Sequence, residues 1–470
     1  MKVEQIYTGC LAQGAYYIES GGEVAIVDPL REVTPYLERV KKDKAKVKYI
    51  FETHFHADFV SGHLTLSKLT GAPIVFGPGA KPDFESITAR DGQAFPLGNV
   101  SIIAIHTPGH TMESTTYLLK DEIGKDIAIF SGDTLFLGDV GRPDLAQKSK
   151  HMTQDELAGL LFDSLRNKIM PLSDDITVYP AHGAGSACGK NMMKVTVDTL
   201  GNQKKVNYAL RENMTREEFI KEVTDGLEAP PKYFPLNVKM NKSGYDDVES
   251  VLSRGLNPLD PESFEILANE ARALILDVRH QDEFVKGHVP QSIFIGLDGG
   301  FAPWVGALIG DVNQPLMIIT PEGREEETIT RLSRVGFDQT LGYLKGGIEA
   351  WKSSGKEYDM ISGVNAKDLE KLVKQEKVPV FDVRKENEYL SGHISSAQNT
   401  PLDFLNDYLD RFPKNNPFFI HCAGGYRSVI AASILKKRGI HNLIDVQGGF
   451  KKIKETEIEL SDYNFPSNRN

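Results

Sequence analysis

The sequence predicts an α/β protein in which a sandwich of two sheets flanked by helices precedes two smaller, repeated α/β domains with parallel sheets. Three observations predict this arrangement. Short β-branched or aromatic runs that end in polar residues recur in the first half of the 470-residue chain, helical patterns separate them, and a segment near residue 274 reappears near residue 380. We expect domains at residues 1–245, 246–360 and 361–470.

Composition is typical of globular proteins. Apolar residues make up 40% and charged residues 25% of the chain, so each domain can bury a core of its own. A net charge of -11 disfavours a general role on nucleic acids or membrane surfaces, because both attract basic proteins. The sequence contains neither a signal-length apolar segment at its start nor an apolar run of about 18 residues. We therefore expect a soluble, cytoplasmic protein.

Several apolar runs of the first domain lead directly into polar residues. Examples are KYIFETH (48–54), VSIIAIHTPGH (100–110) and DIAIFSGDT (126–134), while TPYLERVKKD (34–43) has a helical pattern. A buried strand that ends in this way delivers the polar side chains to a site at the edge of its sheet. The segment 229–245, rich in proline and aromatic residues, indicates the end of the domain and the start of a linker.

Histidine and aspartate recur at the ends of four strand segments. They stand in THFHAD after the first of the runs above and then in TPGHT, SGDT and YPAHG, which gives His54, His56, Asp58, His110, Asp133 and His182. Both residue types bind Zn, Fe or Mn. A single histidine is more often an ordinary core or surface residue, but this set in this order predicts a metal site.

The set resembles the metallo-β-lactamase superfamily, whose pattern is H-x-H-x-D-H followed by H, D and H on an αββα sandwich with the metals at one edge of the sheets. Phe59 departs from this pattern, because it stands where the first motif should end in histidine. Phenylalanine cannot bind a metal, so the second metal position loses one protein ligand. We therefore expect a mononuclear centre.

Four further segments are similar to the persulfide dioxygenases of this superfamily, including those fused to rhodaneses: HADFVSGH (56–63), GDVGRPDL (138–145), AHGAGSACGK (181–190) and PPKYFPLNV (230–238). The resemblance implies one Fe(II) per chain, with Zn present only if the protein is misloaded or has a different function. The implied iron ligands are His54, His110 and Asp133. The implied reaction oxidises the terminal sulfur of a persulfide to sulfite with O₂ and water and releases the thiol.

The same resemblance assigns roles next to the metal. His56 would hold a metal-bound water or ligand in place, and Asp58 and His182 would be hydrogen-bond partners near the metal. Arg142, in the GRPD stretch, has two interpretations. It either binds substrate or orients Asp133, or it forms a structural ion pair with a neighbouring aspartate (Asp139 or Asp144).

The three cysteines do not form a disulfide framework. Cys10 follows the expected first strand, where it lies near the metal, takes up sulfur, or fills a small buried space, as thiols more commonly do. Cys188 is expected to pack at a turn or helix start, without a chemical role. Cys422 is different, because its surroundings are those of a reactive thiol.

The segment FFIHCAGGYRS (418–428) reads as an apolar strand, a short loop and the start of a helix. The glycines after Cys422 let backbone N–H groups turn toward the sulfur, and the helix N-terminus and Arg427 add positive potential, so the thiolate is favoured. The loop resembles the active loop of single-domain rhodaneses, whose length suits sulfur transfer. The resemblance implies Cys422 and Arg427 as catalytic residues, with a persulfide cradle of Ala423, Gly424, Gly425, Tyr426 and Ser428.

The middle domain repeats the last one without its site. LILDVRHQDEFVKGHVPQSIFI (274–295) matches VFDVRKENEYLSGHISSAQNTP (380–401), and LKGGIEAW (344–351) matches VQGGFKKI (446–453). In this alignment Thr320 replaces the cysteine, and glutamates replace both a loop glycine and the arginine. We expect a catalytically inactive rhodanese-like repeat whose Asp-Val-Arg and Gly-His motifs brace the sheet end and a turn.

Together these features predict a persulfide dioxygenase (sulfur dioxygenase) that is also a thiosulfate sulfurtransferase of sulfide metabolism. The expected partners are glutathione persulfide or another low-molecular-weight thiol persulfide, O₂, thiosulfate or sulfite, and further copies of the chain in a homodimer or higher homo-oligomer. The sequence sets neither the carrier thiol nor the direction of sulfur flow. Two alternatives stay open: a zinc-dependent, glyoxalase II-like hydrolase of thioesters or lactones with an accessory rhodanese, and a non-enzymatic sulfur-binding scaffold.

Overall fold

The computed structural model describes residues 1–145, 152–227, 229–376 and 378–461, so the expected end of the third domain, 462–470, lies outside the described residues. The chain separates into two compact units. The first comprises residues 1–248 with 332–336, and the second comprises residues 249–331 with 337–470. Within the described residues, none of the helices is both long and apolar enough to cross a membrane.

The first unit contains two six-stranded sheets. One sheet runs in chain order, antiparallel from β1 to β3 and parallel from β3 to β6, with β1 Lys2–Thr8, β2 Gln13–Ser20, β3 Glu23–Val27, β4 Lys46–Phe51, β5 Ile74–Phe76 and β6 Ile87–Thr88. The other sheet runs in reverse chain order and is antiparallel except for the β10–β11 pair, with β7 Ala94–Leu97, β8 Val100–His106, β9 Thr115–Lys120, β10 Asp126–Gly132, β11 Thr177–Pro180 and β12 Asp198–Thr199.

Strand alternation explains how these sheets stack. Along β2, Tyr16 and Ile18 belong to the core between the two sheets, whereas Ala15 and Tyr17 belong to the core between the first sheet and its helices. Successive side chains of a strand point to opposite faces, so a strand that is apolar at every position must be covered on both sides. The result is the αββα sandwich that the sequence predicts.

Helices cover both outer faces of the sandwich. α1 (Thr34–Asp43) and α2 (His63–Thr70) pack on the first sheet, and α3 (Gln154–Ser164) and α5 (Arg216–Thr224) pack on the second. The bounds of α1 are those that the sequence pattern predicts. Capping boxes start α3 and α5 locally, and the remaining helices are α4 (Leu200–Val206) and α6 (Phe234–Ser243), with a π-helical turn at Leu165–Ile169 after α3 and a 3₁₀ turn at Tyr208–Leu210.

The expected linker at 229–245 is instead structured, because α6 occupies most of it. Asn241 on this helix is buried and donates from its side-chain amide to the carbonyls of His56 and Phe59, both at 2.8 Å, while its Oδ1 accepts from the Ser61 N–H at 2.8 Å. One buried amide thus satisfies three backbone groups of the loop that carries the first histidine motif. The helix fixes that loop and belongs to the first unit.

The second unit contains two parallel five-stranded sheets with the same strand order. They consist of β13 Pro258–Leu259, β17 Thr340–Leu344, β16 Leu316–Ile319, β14 Leu274–Asp277 and β15 Ile293–Phe294, and of β18 Gly363–Val364, β22 Leu443–Val446, β21 Phe418–His421, β19 Val380–Asp382 and β20 Gln398–Asn399. This identical order confirms the internal repeat and its parallel α/β class. The domain boundaries at 245 and 360 remain predictions.

Helices of this unit connect the strands. They are α7 (Val248–Gly255), α8 (Pro261–Glu270), α9 (Gln281–Phe284), α10 (Phe301–Ile309), α11 (Glu325–Arg334), α12 (Gly347–Ser353), α13 (Ala366–Gln375), α14 (Glu386–Leu390), α15 (Tyr426–Lys437) and α16 (Gly449–Ile453), with a 3₁₀ segment at Leu402–Arg411. Right-handed crossovers of this kind place helices against the faces of a parallel sheet.

The repeated Asp-Val-Arg and Gly-His motifs make the same contacts in both repeats. Arg384 donates to Asp382 at the end of β19 and to the Gly392 carbonyl at 2.8 Å, and Arg279 pairs with Asp277 in the same way. His393 lies 3.6 Å from the Tyr389 ring in a stacked arrangement. These motifs therefore tie the strand end to the following turn, which is a structural role.

Candidate metal centre and thiol loop

Three separate strand ends bring the expected metal ligands together. His54 follows β4, His110 follows β8, and Asp133 follows β10; their ligand atoms all lie within 4.8 Å of one another. Asp133 Oδ2 is 3.4 Å from His110 Nε2 and 3.8 Å from His54 Nε2. Among the described residues, His110 Nε2 and Asp133 Oδ2 are buried without a hydrogen-bond partner. Buried polar atoms are normally paired, so these converging atoms fit a bound metal ion.

The second ring nitrogen of each histidine is held by its surroundings. His110 Nδ1 lies 2.8 Å from the Arg142 carbonyl, which can only accept a hydrogen bond, so the proton belongs on Nδ1 and Nε2 carries the lone pair. His54 Nδ1 lies 3.0 Å from the Thr53 hydroxyl, which itself donates to Asp28. Burial and the neighbouring His56 keep the pKa of His54 well below its usual value. His54 is therefore presented in the neutral form that binds metals.

Asp133 is buried but ionised. Burial alone would raise the pKa of its carboxyl, but the facing histidines, His182 above all, outweigh burial and lower it. His182 Nδ1 lies 2.8 Å from Asp133 Oδ1, and its Nε2 lies 2.7 Å from Asp58 Oδ2. Burial alone would lower the pKa of His182, and these two carboxylates raise it instead. Asp58 and His182 thus lie beside the group of His54, His110 and Asp133.

Cys188, to which the sequence assigned no role, joins Asp58 and His182. The Sγ atom and one ligand atom from each of the other two side chains lie within 4.8 Å of one another, and all three residues are buried. Burial, with Asp58 and Asp133 adding to it, raises the pKa of this thiol well above its usual value. The Phe59 ring lies 6.2 Å from that of His182, and a thiol is available in the same region, while the effect of Phe59 on a second metal position stays a prediction. The spacing in AHGAGSACGK gave no signal for this, because the contact depends on how the loop folds.

His56 points toward a different group. Its Nε2 lies 3.0 Å from Asp28 Oδ1 and 3.5 Å from Glu52 Oε2, and it clusters with these two carboxylates. Its ring packs 4.2 Å from that of His54. His56 therefore packs against the ring of His54 and contacts two buried carboxylates. A role for His56 in holding a metal-bound water stays a prediction.

Arg142 and Cys10 have defined contacts within the first unit. Arg142 makes a two-pronged ion pair with Asp144, with both N–O distances at 2.7 Å, which is the structural interpretation of this residue. Its backbone carbonyl contacts His110, one of the candidate metal ligands. Cys10 is partly exposed, and its Sγ accepts from Arg334 at 3.3 Å. The Arg142–Asp144 pair is one of the two contacts that the sequence left open for Arg142, whereas the contact of Cys10 with Arg334 was not expected.

The Cys422 loop connects β21 to α15 in the second unit. Cys422 is buried, and its Sγ accepts from the Gly425 N–H at 3.1 Å. Gly425 has a φ of +106°, which favours glycine and starts α15. Ala423, Gly424, Tyr426 and Ser428 complete the turn, and the Ser428 hydroxyl donates to the Gly425 carbonyl at 3.2 Å. One backbone N–H, that of Gly425, therefore reaches the sulfur, and a cradle of several N–H groups stays a prediction.

The Gly-Gly motif at the start of α16 packs against the backbone of this loop. The Phe450 and Lys451 N–H groups donate to the carbonyls of Cys422 at 2.7 Å and Ala423 at 3.0 Å. A Cβ at Gly449 would lie 2.4 Å from the Cys422 carbonyl oxygen, so only glycine fits there. The end motif that revealed the repeat thus positions the nucleophile.

Arg427 is held by an acidic side chain of α14. Its guanidinium binds Glu388 through two bonds of 2.6 Å and 2.8 Å, and Glu388 is the residue four positions after the Arg of Asp-Val-Arg. Part of the positive charge near Cys422 is therefore offset. The Gly425 N–H and the N-terminus of α15 are further groups that favour negative charge at this place.

The middle repeat has the opposite charge at the equivalent place. Thr320 follows β16, and α11 begins with Glu325, Glu326 and Glu327 in its first turn. Acidic side chains in the first turn of a helix disfavour a thiolate or any other anion near that helix N-terminus. This agrees with the prediction of a repeat without sulfur-transfer chemistry.

Comparison with known families supports this division of the chain. Residues 8–182 match the metallo-beta-lactamase superfamily, and residues 260–354 and 365–456 each match the rhodanese-like domain. A crystal structure of a metallo-beta-lactamase from Staphylococcus aureus subsp. aureus COL has a TM-score of 0.66 and 29% sequence identity, and the match covers 73% of this chain and 99% of that one.

Relatives of the first domain include both an oxygenase and a hydrolase. The human persulfide dioxygenase ETHE1, mitochondrial, is 29% identical over 203 residues, which cover 42% of this chain and 70% of the relative. The hydroxyacylglutathione hydrolase of Tolumonas auensis (strain DSM 9187 / NBRC 110442 / TA 4) is 31% identical over 173 residues, which cover 36% of this chain and only 60% of the relative. The chain therefore joins a domain of the metallo-β-lactamase superfamily, with homologues among the persulfide dioxygenases, to two rhodanese-like domains.

Proposed function

We propose that this protein is a non-heme iron persulfide dioxygenase coupled to a sulfurtransferase of sulfide metabolism in the cytoplasm. It oxidises a low-molecular-weight thiol persulfide, such as glutathione persulfide, to sulfite and exchanges sulfane sulfur through Cys422. The observation that carries the proposal is the presence, in one chain, of a buried group of two histidines and one carboxylate and of a buried cysteine whose Sγ accepts from a backbone N–H of its own loop. One chain that holds both sites raises the local concentration of the shared sulfur species.

His54, His110 and Asp133 would hold the iron, which supplies, when bound, the redox chemistry for O₂. The protein provides orientation and exclusion of water. The Arg142 carbonyl fixes the His110 ring, Thr53 contacts the His54 ring, and all three candidate ligands are at most 2% exposed. Such fixed, dry surroundings keep a reactive site from side reactions with solvent.

Cys422 would act as a thiolate nucleophile. Attack on the outer sulfur of thiosulfate forms the Cys422 S–S bond and breaks the S–S bond of thiosulfate, and sulfite leaves with both electrons of that bond. In the second step, a thiol acceptor attacks the outer sulfur of the Cys422 persulfide. The acceptor becomes the persulfide, and Cys422 is left as a thiolate. The Gly425 N–H, 3.1 Å from Sγ, stabilises the anionic sulfur in each step.

A second candidate function is a zinc-dependent hydrolase of thioesters or lactones. The contact of Asp58, His182 and Cys188 favours it, because a carboxylate, an imidazole and a thiolate together suit zinc. The match to a hydroxyacylglutathione hydrolase gives it further support. Metal content separates the two functions: one iron per chain for the dioxygenase, and about two zincs for the hydrolase.

The test is metal analysis of protein purified without oxygen and without added metal, together with O₂ uptake and sulfite release on addition of glutathione persulfide. About one iron per chain with O₂ uptake is expected. His110→Ala should lose the iron and the uptake while thiosulfate:thiol transfer is retained, because the two sites lie in different units. His106→Ala, at the end of β8 but outside the candidate ligand group, is the matched control and should keep both.

Two results would contradict the proposal. About two zincs per chain without O₂ uptake would favour hydrolysis of thioesters or lactones. Undiminished uptake in His110→Ala would show that the iron, if present, is bound by other residues.

A further inference from the structure

A cavity lies beside the Cys422 loop, and both repeats of the second unit contribute to its wall. Its volume is about 330 Å³. Gly424, Gly425 and Asp445 line it from the last repeat, and Asp282 and Lys286 line it from the middle repeat at and just after α9. Because the Gly425 N–H binds Cys422 Sγ, an occupant of this cavity touches the same loop segment that holds the nucleophile.

Asp445 is the unusual residue of this cavity. It stands on β22, in register with Ile420, two residues before the nucleophile, and it is only 5% exposed. Among the described residues, its Oδ1 has no hydrogen-bond partner, while Ser428 contacts the carboxyl group. A buried carboxyl oxygen without a partner costs free energy unless a ligand or an ion supplies a donor.

The charges around Asp445 indicate which donor would suit it. Burial, with the charge of Asp282 adding to it, raises the pKa of this carboxyl to about 7. A cation that binds near two acidic side chains on the wall of one cavity is attracted by both. Lys286, also on the wall, offers a positive charge to an acidic group of the same occupant. The cavity therefore has features that match a molecule with both an ammonium and a carboxylate.

We propose that this cavity is the acceptor subsite of Cys422 and receives a small thiol that carries an ammonium group, which binds between Asp445 and Asp282. The inference rests on the proposed sulfur transfer at Cys422. The acceptor thiolate attacks the outer sulfur of the Cys422 persulfide, a new S–S bond forms on the acceptor, the old one breaks, and its electron pair returns to Cys422. No oxidant or reductant is consumed.

The middle repeat has a structural role in this subsite. It has lost its own nucleophile, yet its α9 region supplies one wall of a site that belongs to its neighbour. Direct contacts hold the two repeats in this arrangement: Tyr426 donates to the Gly296 carbonyl at 2.7 Å, and the Phe294 N–H donates to Ser433 at 3.0 Å. Tyr426 belongs to the loop itself, so the middle repeat both supports the loop and borders its cavity.

The test compares acceptors that differ only in the ammonium group: L-cysteine against N-acetyl-L-cysteine, and cysteamine against N-acetylcysteamine. Sulfur transfer from thiosulfate to each acceptor is measured with the full chain. The kcat/KM for each thiol is corrected for the concentration of its thiolate. It is then divided by the kcat/KM for cyanide, an acceptor without an ammonium group. Wild-type protein should prefer the amines by about tenfold, as one partly buried charge contact implies. Asp445→Asn should reduce this preference to about twofold or less, and Asp282→Asn, at an exposed position, should reduce it by a smaller factor.

Asp410→Asn, an exposed aspartate of the same repeat away from the cavity, is the control and should keep the wild-type preference. Equal preferences in wild type, Asp445→Asn and Asp282→Asn would overturn the inference while leaving sulfur transfer at Cys422 intact. If Asp445→Asn fails to fold, as judged by circular dichroism, the result of Asp282→Asn decides by itself. No transfer to cyanide by the wild-type protein would overturn both the inference and the proposed sulfur transfer.

Discussion

Asp445→Asn should make the second unit more stable at alkaline pH and remove a measurable part of its pH dependence. The native carboxyl is buried and has a pKa of about 7, against an ordinary value of 3.8. The folded state therefore favours the neutral acid, and ionisation above pH 7 is unfavourable in the folded protein. The contribution of the Asp445 carboxyl to the free energy of unfolding is highest below pH 3.8. It falls as the pH rises to about 7 and is constant above that.

The size of the effect follows from the difference in pKa. Each pH unit corresponds to about 1.4 kcal/mol, so a difference of about three units gives at most about 4 kcal/mol. Between pH 5 and pH 8 the wild-type protein should lose about 2–3 kcal/mol through Asp445 alone, because part of the loss has already occurred at pH 5. Asparagine has a similar shape and cannot ionise, so the variant should lack this loss.

Urea unfolding at pH 5 and pH 8 measures the difference. Both tryptophans of the chain, Trp304 and Trp351, lie in the second unit, so their fluorescence reports on that unit without interference from the first. The quantity of interest is the free energy of unfolding of Asp445→Asn minus that of wild type, compared between the two pH values. Other titrating groups cancel in this difference, and Asp410→Asn serves as the exposed control.

A result in which this difference is the same at pH 5 and pH 8, within about 0.5 kcal/mol, would refute the reasoning. It would mean that Asp445 already has a cationic or hydrogen-bonding partner in solution, or that water reaches it. A larger stability loss of the variant at pH 8 than at pH 5 would also contradict the prediction, because it would indicate an ionised carboxylate that stabilises the fold.

Three other substitutions test the sites themselves. Cys422→Ser should abolish thiosulfate turnover, by at least about 10³-fold, while O₂ uptake with persulfide continues; persistent transfer would point to Cys10 or Cys188 as the acceptor. Thr320→Cys should not restore transfer to the middle repeat in a Cys422→Ser background, because the acidic first turn of α11 disfavours a thiolate, and a labelled persulfide at position 320 would disprove this. Phe59→His should raise zinc binding to about two ions per chain by mass spectrometry, and unchanged stoichiometry would mean that Phe59 does not keep the site mononuclear.

Sequence reasoning identified the candidate ligands because their chemistry and their position after strands are both visible in the chain. A strand followed by His or Asp predicts a side chain at a sheet edge, and His54, His110 and Asp133 do meet there. It missed Asn241, which was assigned to a linker but fixes the histidine loop from α6. Its partner groups lie more than 180 residues away along the chain, so no local pattern could reveal the contact.

The sequence by itself determined the division into a sandwich and two parallel repeats, the Cys422 loop and the lack of an equivalent cysteine at Thr320, because alternation, repetition and residue identity are properties of the chain. Only the tertiary structure decided which polar groups face each other. It brought Cys188 to Asp58 and His182, paired Arg427 with Glu388, and left Asp445 buried beside the loop. The physical reason is that hydrogen bonds and charge contacts act over a few ångströms, so they depend on how distant segments pack, which residue spacing does not encode.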